Sequence, residues 1–142
     1  MKITQIREKD GVEALSVLDF NLLIEKIKTE IKTRPVTGLR QALHFVLPGE
    51  SCSFAGKLPK VIPAAVFGRV NGVKRMKVYN GIVELTVGPL AGKVEVDLVK
   101  KKAAELPQTM FAYMGSSGNS VKIWTLFTRP DGALPQTQEE AE

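Results

Sequence analysis

The stretch from residue 61 to residue 87 constrains the fold most, because nearly all of it favours extended structure. Residues 61–70 and 73–87 are rich in β-branched and aromatic residues, and Asn71-Gly72 lies between them. Asn-Gly is the strongest short-range signal for a two-residue hairpin turn. A second pair, Asn80-Gly81, predicts a bulge or another tight turn before residues 82–87. The region therefore predicts antiparallel strands.

The second half of the chain changes from strand to helix and back. In residues 91–106 apolar side chains recur at helical spacing, and Pro107 ends the segment. Residues 109–115 and 121–128 again favour strands, with a loop at 116–119 between them. Two hairpins thus flank one crossover helix. This order predicts an α+β fold in which an antiparallel or mixed sheet carries helices mainly on one face, with RRM-like or ferredoxin-like β-α-β elements.

The first 60 residues predict one strand and two helices. Residues 1–8 alternate in part, as a strand does. Asp19 is the expected N-cap of a helix that Pro35 stops, and the apolar face of this helix holds Phe20, Leu23, Ile24, Ile27 and Ile31. Residues 36–47 predict a second short helix, 48–51 a turn and 51–60 a loop. We expect a single domain over residues 1–135, followed at 136–142 by a tail or the start of a truncated helix.

Composition excludes several classes of protein. A single cysteine, Cys52, excludes an intrachain disulfide, and together with the single histidine, His44, it cannot supply the roughly four ligands of a zinc site. Because His44 lies in an apolar stretch, a packed or partly exposed structural histidine is a better interpretation than a catalytic one. The N-terminus lacks the apolar run of a signal peptide and no segment approaches a membrane span, so we expect a cytoplasmic protein.

The charge balance is compatible with a polyanionic partner. The chain has 20 basic and 15 acidic residues, a net charge of +5. Three of the acidic residues, Glu139, Glu140 and Glu142, lie at the end, and without them the balance is 20 against 12, or +8. Such a bias attracts nucleic acid, although many small basic domains bind none.

Two segments carry residues suited to binding chemistry. On the strand 82–87, Glu84 and Thr86 share one face, which predicts either a weak Mg²⁺ site with a single carboxylate or an exposed polar pair. The small residues and hydroxyls of loop 115–120 could let backbone amides approach an anion, with a lysine following. The candidate phosphate-binding residues are Ser116, Ser117, Gly118, Ser120 and Lys122. The alternative is a Ser/Gly hairpin turn with a surface lysine.

Trp124 lies on the same strand face as Lys122, and it is the single tryptophan of the chain. Its indole either offers a surface on which a base stacks or, as is more common, packs under a helix. The Ser/Gly loop does not match a Walker A motif, because its second glycine is not followed by Lys and Ser or Thr.

These residues resemble a known family, the VirE N-terminal domain family of bacterial proteins, found with mobile-element replication and helicase-like modules. The resembling segments are 61–65, 79–85, 106–109, 115–123 and 127–135, and residues 115–135 are the most specific. That family is similar to archaeo-eukaryotic-type primases and primase-polymerases. The resemblance implies a primase-like fold, Mg²⁺ and a helicase-like replication partner. No membrane partner is expected, because no segment approaches the length of a membrane span.

The resemblance also assigns roles to individual residues. It places the first metal carboxylate of the primases at Glu84 and their second acidic ligand at Thr86. It places their nucleotide motif at Ser117, Gly118, Ser120 and Lys122. Thr86 offers no carboxylate, Ser120 replaces a glycine and Lys122 replaces a histidine. These departures predict that the chain alone does not synthesise primers.

Three hypotheses of function follow. The first is a non-catalytic or incomplete primase-like domain that binds single-stranded nucleic acid or a nucleotide in replication or mobilisation of a mobile element, with Glu84 orienting either a metal or Lys122. The second is a protein-interaction module on the same fold without nucleotide binding. The third is the N-terminal part of an active nucleotidyltransferase that downstream sequence completes.

Overall fold

The computed structural model describes residues 1–30, 34–45 and 58–141. Its elements follow in the order β1 (Lys2–Lys9), β2 (Val12–Asp19), α1 (Phe20–Glu30), α2 (Arg34–Leu43), β3 (Lys60–Ile62), β4 (Ala65–Val70), β5 (Val73–Tyr79), β6 (Ile82–Val87), α3 (Lys93–Ala104), β7 (Thr109–Met114), β8 (Val121–Leu126) and α4 (Gln138–Ala141). All strand pairs are antiparallel. The α+β fold expected from the sequence is confirmed.

The described strands form three sheets. The N-terminal sheet has the order β2-β1-β3, the β4–β5 hairpin forms a two-stranded sheet, and the C-terminal sheet has the order β6-β8-β7. Because β8 is antiparallel to both of its neighbours, β6 and β7 run parallel to each other, with α3 as the crossover between them. The C-terminal sheet is therefore a β-α-β unit with one strand inserted between its two parallel strands.

The hairpin turn expected at Asn71-Gly72 is confirmed, since both residues have positive φ, 50° and 78°, as a type I′ turn requires. At Asn80-Gly81 the expectation of a bulge or tight turn needs correction. The pair instead carries the chain from the β4–β5 hairpin into the C-terminal sheet, because β5 pairs with β4 and β6 pairs with β8. The Asn80 side chain anchors this crossing by donating to the carbonyls of Lys2 (2.8 Å) and Pro63 (2.9 Å).

Where the structure describes it, the N-terminal region contains one strand more than we predicted. Asp10-Gly11, with φ of 53° and 76°, turns β1 into β2, and Asp-Gly is a hairpin signal that the sequence already contained. Asp19 caps α1 as expected, because its Oδ1 accepts the backbone N–H of Asn21 at 2.9 Å. Pro35 lies in the first turn of α2, where the missing N–H costs nothing. The predicted turn at 48–51 and Cys52 lie outside the described residues.

Apolar side chains pack on both faces of the C-terminal sheet. On the outer face, Val96 and Ala103 of α3 pack against Val121 and Ile123 of β8. On the inner face, Ile82 and Trp124 form a cluster that includes buried residues of the N-terminal half, namely Ile3, Leu18 and Leu23. The helix predicted at 91–106 thus packs on one face of the sheet as expected, whereas α1 joins the other face. No helix among the described residues is long and apolar enough to cross a membrane.

Candidate functional site

A hydrogen-bonded cluster occupies the inner face of the C-terminal sheet. The strand register pairs Glu84 with Trp124 and Thr86 with Lys122. Glu84 Oε1 accepts a hydrogen bond from Lys122 Nζ at 2.8 Å, and its Oε2 accepts one from Trp124 Nε1 at 2.8 Å. Lys122 Nζ also donates to Thr86 Oγ1 at 2.8 Å. Both carboxylate oxygens and the threonine hydroxyl therefore accept donors from β8.

These residues do not fit a magnesium ion. Mg²⁺ requires oxygen ligands that are open to it, and the carboxylate of Glu84 is engaged on one side by an ammonium and on the other by an indole N–H. In the parts of the chain that the structure describes, no group of three or more His, Cys, Asp or Glu residues could hold a metal ion. The sequence suggested that Glu84 orients either a metal or Lys122. The geometry agrees with the second role, because Glu84 accepts a hydrogen bond from Lys122.

The side chain of Trp124 is fully buried, which corrects the base-stacking alternative. Its residue is 0% exposed, and its ring lies 5.7 Å from that of Phe20 and 5.9 Å from those of Phe111 and Tyr113, centroid to centroid. Aromatic neighbours on several sides leave no face on which a base could stack. The structure agrees with the other alternative, a packed tryptophan. Its N–H is satisfied by Glu84, as a buried indole requires.

A cleft of about 680 Å³ opens over this cluster, between the N-terminal sheet, α1, α2 and the C-terminal sheet. Its volume lies in the range typical of small-molecule sites. Five basic side chains from five different elements line it: Arg7, Lys26, Arg40, Lys60 and Lys122. Glu84 is the only acidic residue among the described residues that line the cleft. Because concave low-dielectric walls concentrate the field of such charges, the cleft is suited to an anion.

The Ser/Gly loop contributes less directly to this cleft than the sequence suggested. Ser116 lines the cleft. The hydroxyl of Ser117 donates to Asn119 Oδ1 at 2.6 Å, and the Gly118 N–H donates to the carbonyl of Gly115 at 3.0 Å. Ser120 lies 3.5 Å from Ser117, hydroxyl to hydroxyl. These groups bond within the loop, and their role in phosphate binding stays a prediction.

Arg40 joins α2 to the loop, a contact that no local motif indicated. Its Nε donates to the carbonyl of Ser116 at 3.2 Å and its Nη2 to that of Gly115 at 3.4 Å. Gly118, at φ +83°, lies against the same side chain, and a Cβ there would sit 3.4 Å from Arg40 Nε. The loop thus presents carbonyls to a guanidinium, and Arg40 holds one wall of the cleft in place.

Tyr113 is the one aromatic residue among the described residues that line the cleft. It lies on β7 beside Lys122 of β8 and lines the cleft next to Met114. Burial raises the pKa of the Tyr113 hydroxyl well above its usual value, and the nearby negative charge of Glu84 raises it further. The phenol therefore stays protonated and neutral at physiological pH.

Sequence reasoning found the pair Glu84 and Lys122 but missed most of the cleft. The alternation of β6 and β8 places both residues on one face of the sheet, which is the inner one, and there Glu84 bonds to Lys122 as one of its two predicted roles required. Lys26 does not belong to the predicted apolar face of the first helix, yet it lines the cleft. Arg7, Arg40 and Lys60 lie far apart in the sequence and in no recognisable motif, so only the tertiary fold brings them together.

Comparison with known proteins corrects the expected family. A family model, that of the BT4734-like, N-terminal domain, matches residues 53–142, well over half of the chain. The resemblance to the VirE N-terminal family is therefore wrong, and with it the primase and replication roles lose the support that they drew from that family. No curated protein and no solved structure matches the chain.

Proposed function

The chain belongs to the BT4734-like N-terminal domain family, and from its geometry we propose that it is a non-catalytic domain that binds single-stranded nucleic acid or a nucleotide in the basic cleft. The observation that carries the proposal is the convergence of five cationic side chains from five elements on one concave space. Phosphate groups are the ligand that such an arrangement attracts most strongly.

The arrangement of Lys122 supports phosphate binding without catalysis. Its ammonium has three N–H donors, and Glu84 and Thr86 accept two of them. The third remains for an anion in the cleft. Because phosphoryl transfer needs several carboxylates to hold cations against a triphosphate, the single paired carboxylate at this site favours binding over chemistry.

Tyr113 supports a ligand that has a base as well as a phosphate. Its ring is half-buried and lines the same cleft as the basic side chains. One face of this ring stacks on Phe111, 5.1 Å between centroids, so a base would stack on the other face, with little dependence on base identity. The cleft thus combines positive charge with one aromatic surface, as proteins that bind single strands do.

Titration of a fluorescent oligonucleotide and of a nucleoside triphosphate, each across a salt series, tests the proposal. The variant Arg7→Gln/Lys60→Gln removes two exposed cations of the cleft, and Lys101→Gln/Lys102→Gln removes two exposed cations of α3 as the matched control. We expect the first variant to weaken binding about tenfold and to lower the salt slope by roughly 1–2, and the control to bind as the wild type does. Equal effects of the two variants, or no binding by the wild type at about 50 mM salt, would contradict the proposal.

Protein interaction is a second candidate function, favoured by the outer side of the C-terminal sheet. There Val83, Leu85 and Val87 of β6 and Val94 and Leu98 of α3 are between 36% and 85% exposed. Among the described residues β6 pairs with β8 alone and is an edge strand. A second copy of the chain, paired along β6, would cover the exposed side chains of that strand. Sedimentation of the wild type against Leu85→Thr tests this, and a monomer at all concentrations would refute it.

A further inference from the structure

The β4–β5 hairpin contains most of the net charge of the chain. Residues 65–79 include four basic residues, Arg69, Lys74, Arg75 and Lys77, and no acidic residue. The remaining chain has 16 basic and 15 acidic residues, which is nearly balanced. The net positive charge of the chain is therefore concentrated on this element, whereas the basic side chains of the cleft are balanced by acidic residues elsewhere in the chain.

Three of these cations face solvent. Lys74, Arg75 and Lys77 are exposed on β5, which among the described residues pairs with β4 alone. Arg69 differs, because its guanidinium donates to the carbonyls of Gly72 (2.9 Å) and Glu13 (3.1 Å). The outer strand of the hairpin thus presents three exposed cations, with Lys74 on one face of the ribbon and Arg75 and Lys77 on the other.

Two of the four basic residues destabilise the hairpin. Arg69 and Lys74 are directly opposed across the strand pair, and like charges in that position destabilise a sheet. Charged side chains do protect an edge strand from pairing with another chain, but either sign serves that purpose. A soluble surface normally mixes both signs. A purely positive ribbon is better explained by an anionic partner.

The hairpin and the cleft lie on opposite faces of the N-terminal sheet. The Thr4 side chain points toward the hairpin, because its Oγ1 donates to the Ala65 carbonyl at 2.9 Å and accepts the Phe67 N–H at 2.7 Å. Its neighbours Ile3 and Gln5 point the other way, one into the inner core and one into the cleft. A ligand of the hairpin is therefore distinct from a ligand of the cleft.

We propose that the β4–β5 hairpin is a second binding surface, and that its partner is duplex DNA. A two-stranded β-ribbon has the width that the major groove of B-DNA accepts, whereas the major groove of duplex RNA is too narrow. The aromatic residues of the hairpin, Phe67 and Tyr79, are partly buried, and Lys74 Nζ covers Phe67 at 4.9 Å from the ring centroid. The hairpin offers cations for phosphates but no exposed ring on which an unpaired base could stack.

Fluorescence anisotropy with a labelled DNA duplex of mixed sequence tests this proposal on the full chain. The variant Lys74→Gln/Arg75→Gln/Lys77→Gln removes the three exposed cations of β5. The variant Lys93→Gln/Lys101→Gln/Lys102→Gln removes three exposed lysines of α3 and is matched in charge. We expect the hairpin variant to weaken duplex binding at least about tenfold and to lower the salt slope by roughly 2–3, since each lost phosphate contact removes about 0.9. The α3 variant should retain the slope.

Three outcomes would overturn the proposal. They are no duplex binding by the wild type, equal weakening by the two triple variants, or binding of anionic lipid vesicles or a single strand through the hairpin in preference to the duplex. Should the triple variant melt early, Arg75→Gln alone still decides, because Arg75 lies opposite Gly68 and is exposed. A triphosphate titration of the hairpin variant keeps this test apart from the cleft, because nucleotide binding should be unchanged.

Discussion

Replacing Glu84 by glutamine tests the hydrogen-bonded cluster beneath the cleft. The carboxylate accepts from two donors, Lys122 Nζ and Trp124 Nε1, each at 2.8 Å. A glutamine of the same shape has one accepting oxygen and one donating amide. If its oxygen accepts from the indole, its NH₂ group faces the ammonium of Lys122, and two donors then oppose each other.

The expected loss of stability follows from these contacts. A hydrogen bond to a charged group contributes about 1.5–3 kcal/mol net. The side chains of Glu84 and Lys122 are 27% and 33% exposed, so solvent screening brings the value toward the lower end. The indole N–H is more costly to leave without a partner, because Trp124 is fully buried. We therefore expect Glu84→Gln to lower the free energy of unfolding by about 2 kcal/mol, or the Tm by roughly 6–8 °C.

Anion binding should respond in the opposite direction. Removal of the Glu84 charge leaves the positive charge of Lys122 less neutralised, so triphosphate affinity should stay the same or rise, whereas Lys122→Met should reduce it. Urea denaturation of both single variants and the double variant gives the coupling energy of the pair, which we expect to be about 1 kcal/mol. Two results would refute this account of the cluster. One is that Glu84→Gln is as stable as the wild type, and the other is that Glu84→Gln loses more anion affinity than Lys122→Met does.

Three further substitutions test the fold around the two surfaces. Thr4→Val removes the hydroxyl that bonds the hairpin to β1 and should cost about 2–3 kcal/mol in urea denaturation, with Thr4→Ser as the milder control. Gly72→Ala should cost about 1 kcal/mol, because φ is +78° although no atom lies within 4 Å of the added Cβ; full stability would exclude the type I′ turn. Burial raises the pKa of Tyr113, so the unfolded chain ionises first and stability should fall above about pH 10. Tyr113→Phe should show a smaller fall there, and an equal fall would contradict the pKa assignment.

The local elements of the second half could be predicted because each has a local cause. The Asn71-Gly72 pair specifies the β4–β5 turn through two positive φ values. Alternation along β6 and β8 puts Glu84 and Lys122 on one face, and the helical spacing of Val96 and Ala103 buries them against β8. The turn at Asp10-Gly11 has the same kind of local cause, so strand β2 could have been predicted in the same way.

The arrangement of the sheets could not be predicted in the same way. Nothing local distinguishes a bulge at Asn80-Gly81 from a crossing between two sheets. The choice depends on the Asn80 side chain bonding to Lys2 and Pro63, and Lys2 is 78 residues away in the chain. Likewise Trp124 is buried because Phe20 of α1 packs against it, a contact between the two halves of the molecule.

The basic side chains that line the cleft lower the stability of the folded chain when no anion is bound. Arg7, Lys26, Arg40, Lys60 and Lys122 belong to five elements, and their mutual repulsion opposes the closing of those elements around one space. An anion bound among them relieves this repulsion only in the native state, since the unfolded chain does not bring the five charges together. Ligand binding should therefore stabilise the fold by RT ln(1 + [L]/Kd), which is about 2.7 kcal/mol at a hundredfold excess over Kd. Under the proposed function, folding and anion binding are coupled through the same five side chains, which are scattered in the sequence and brought together by the fold.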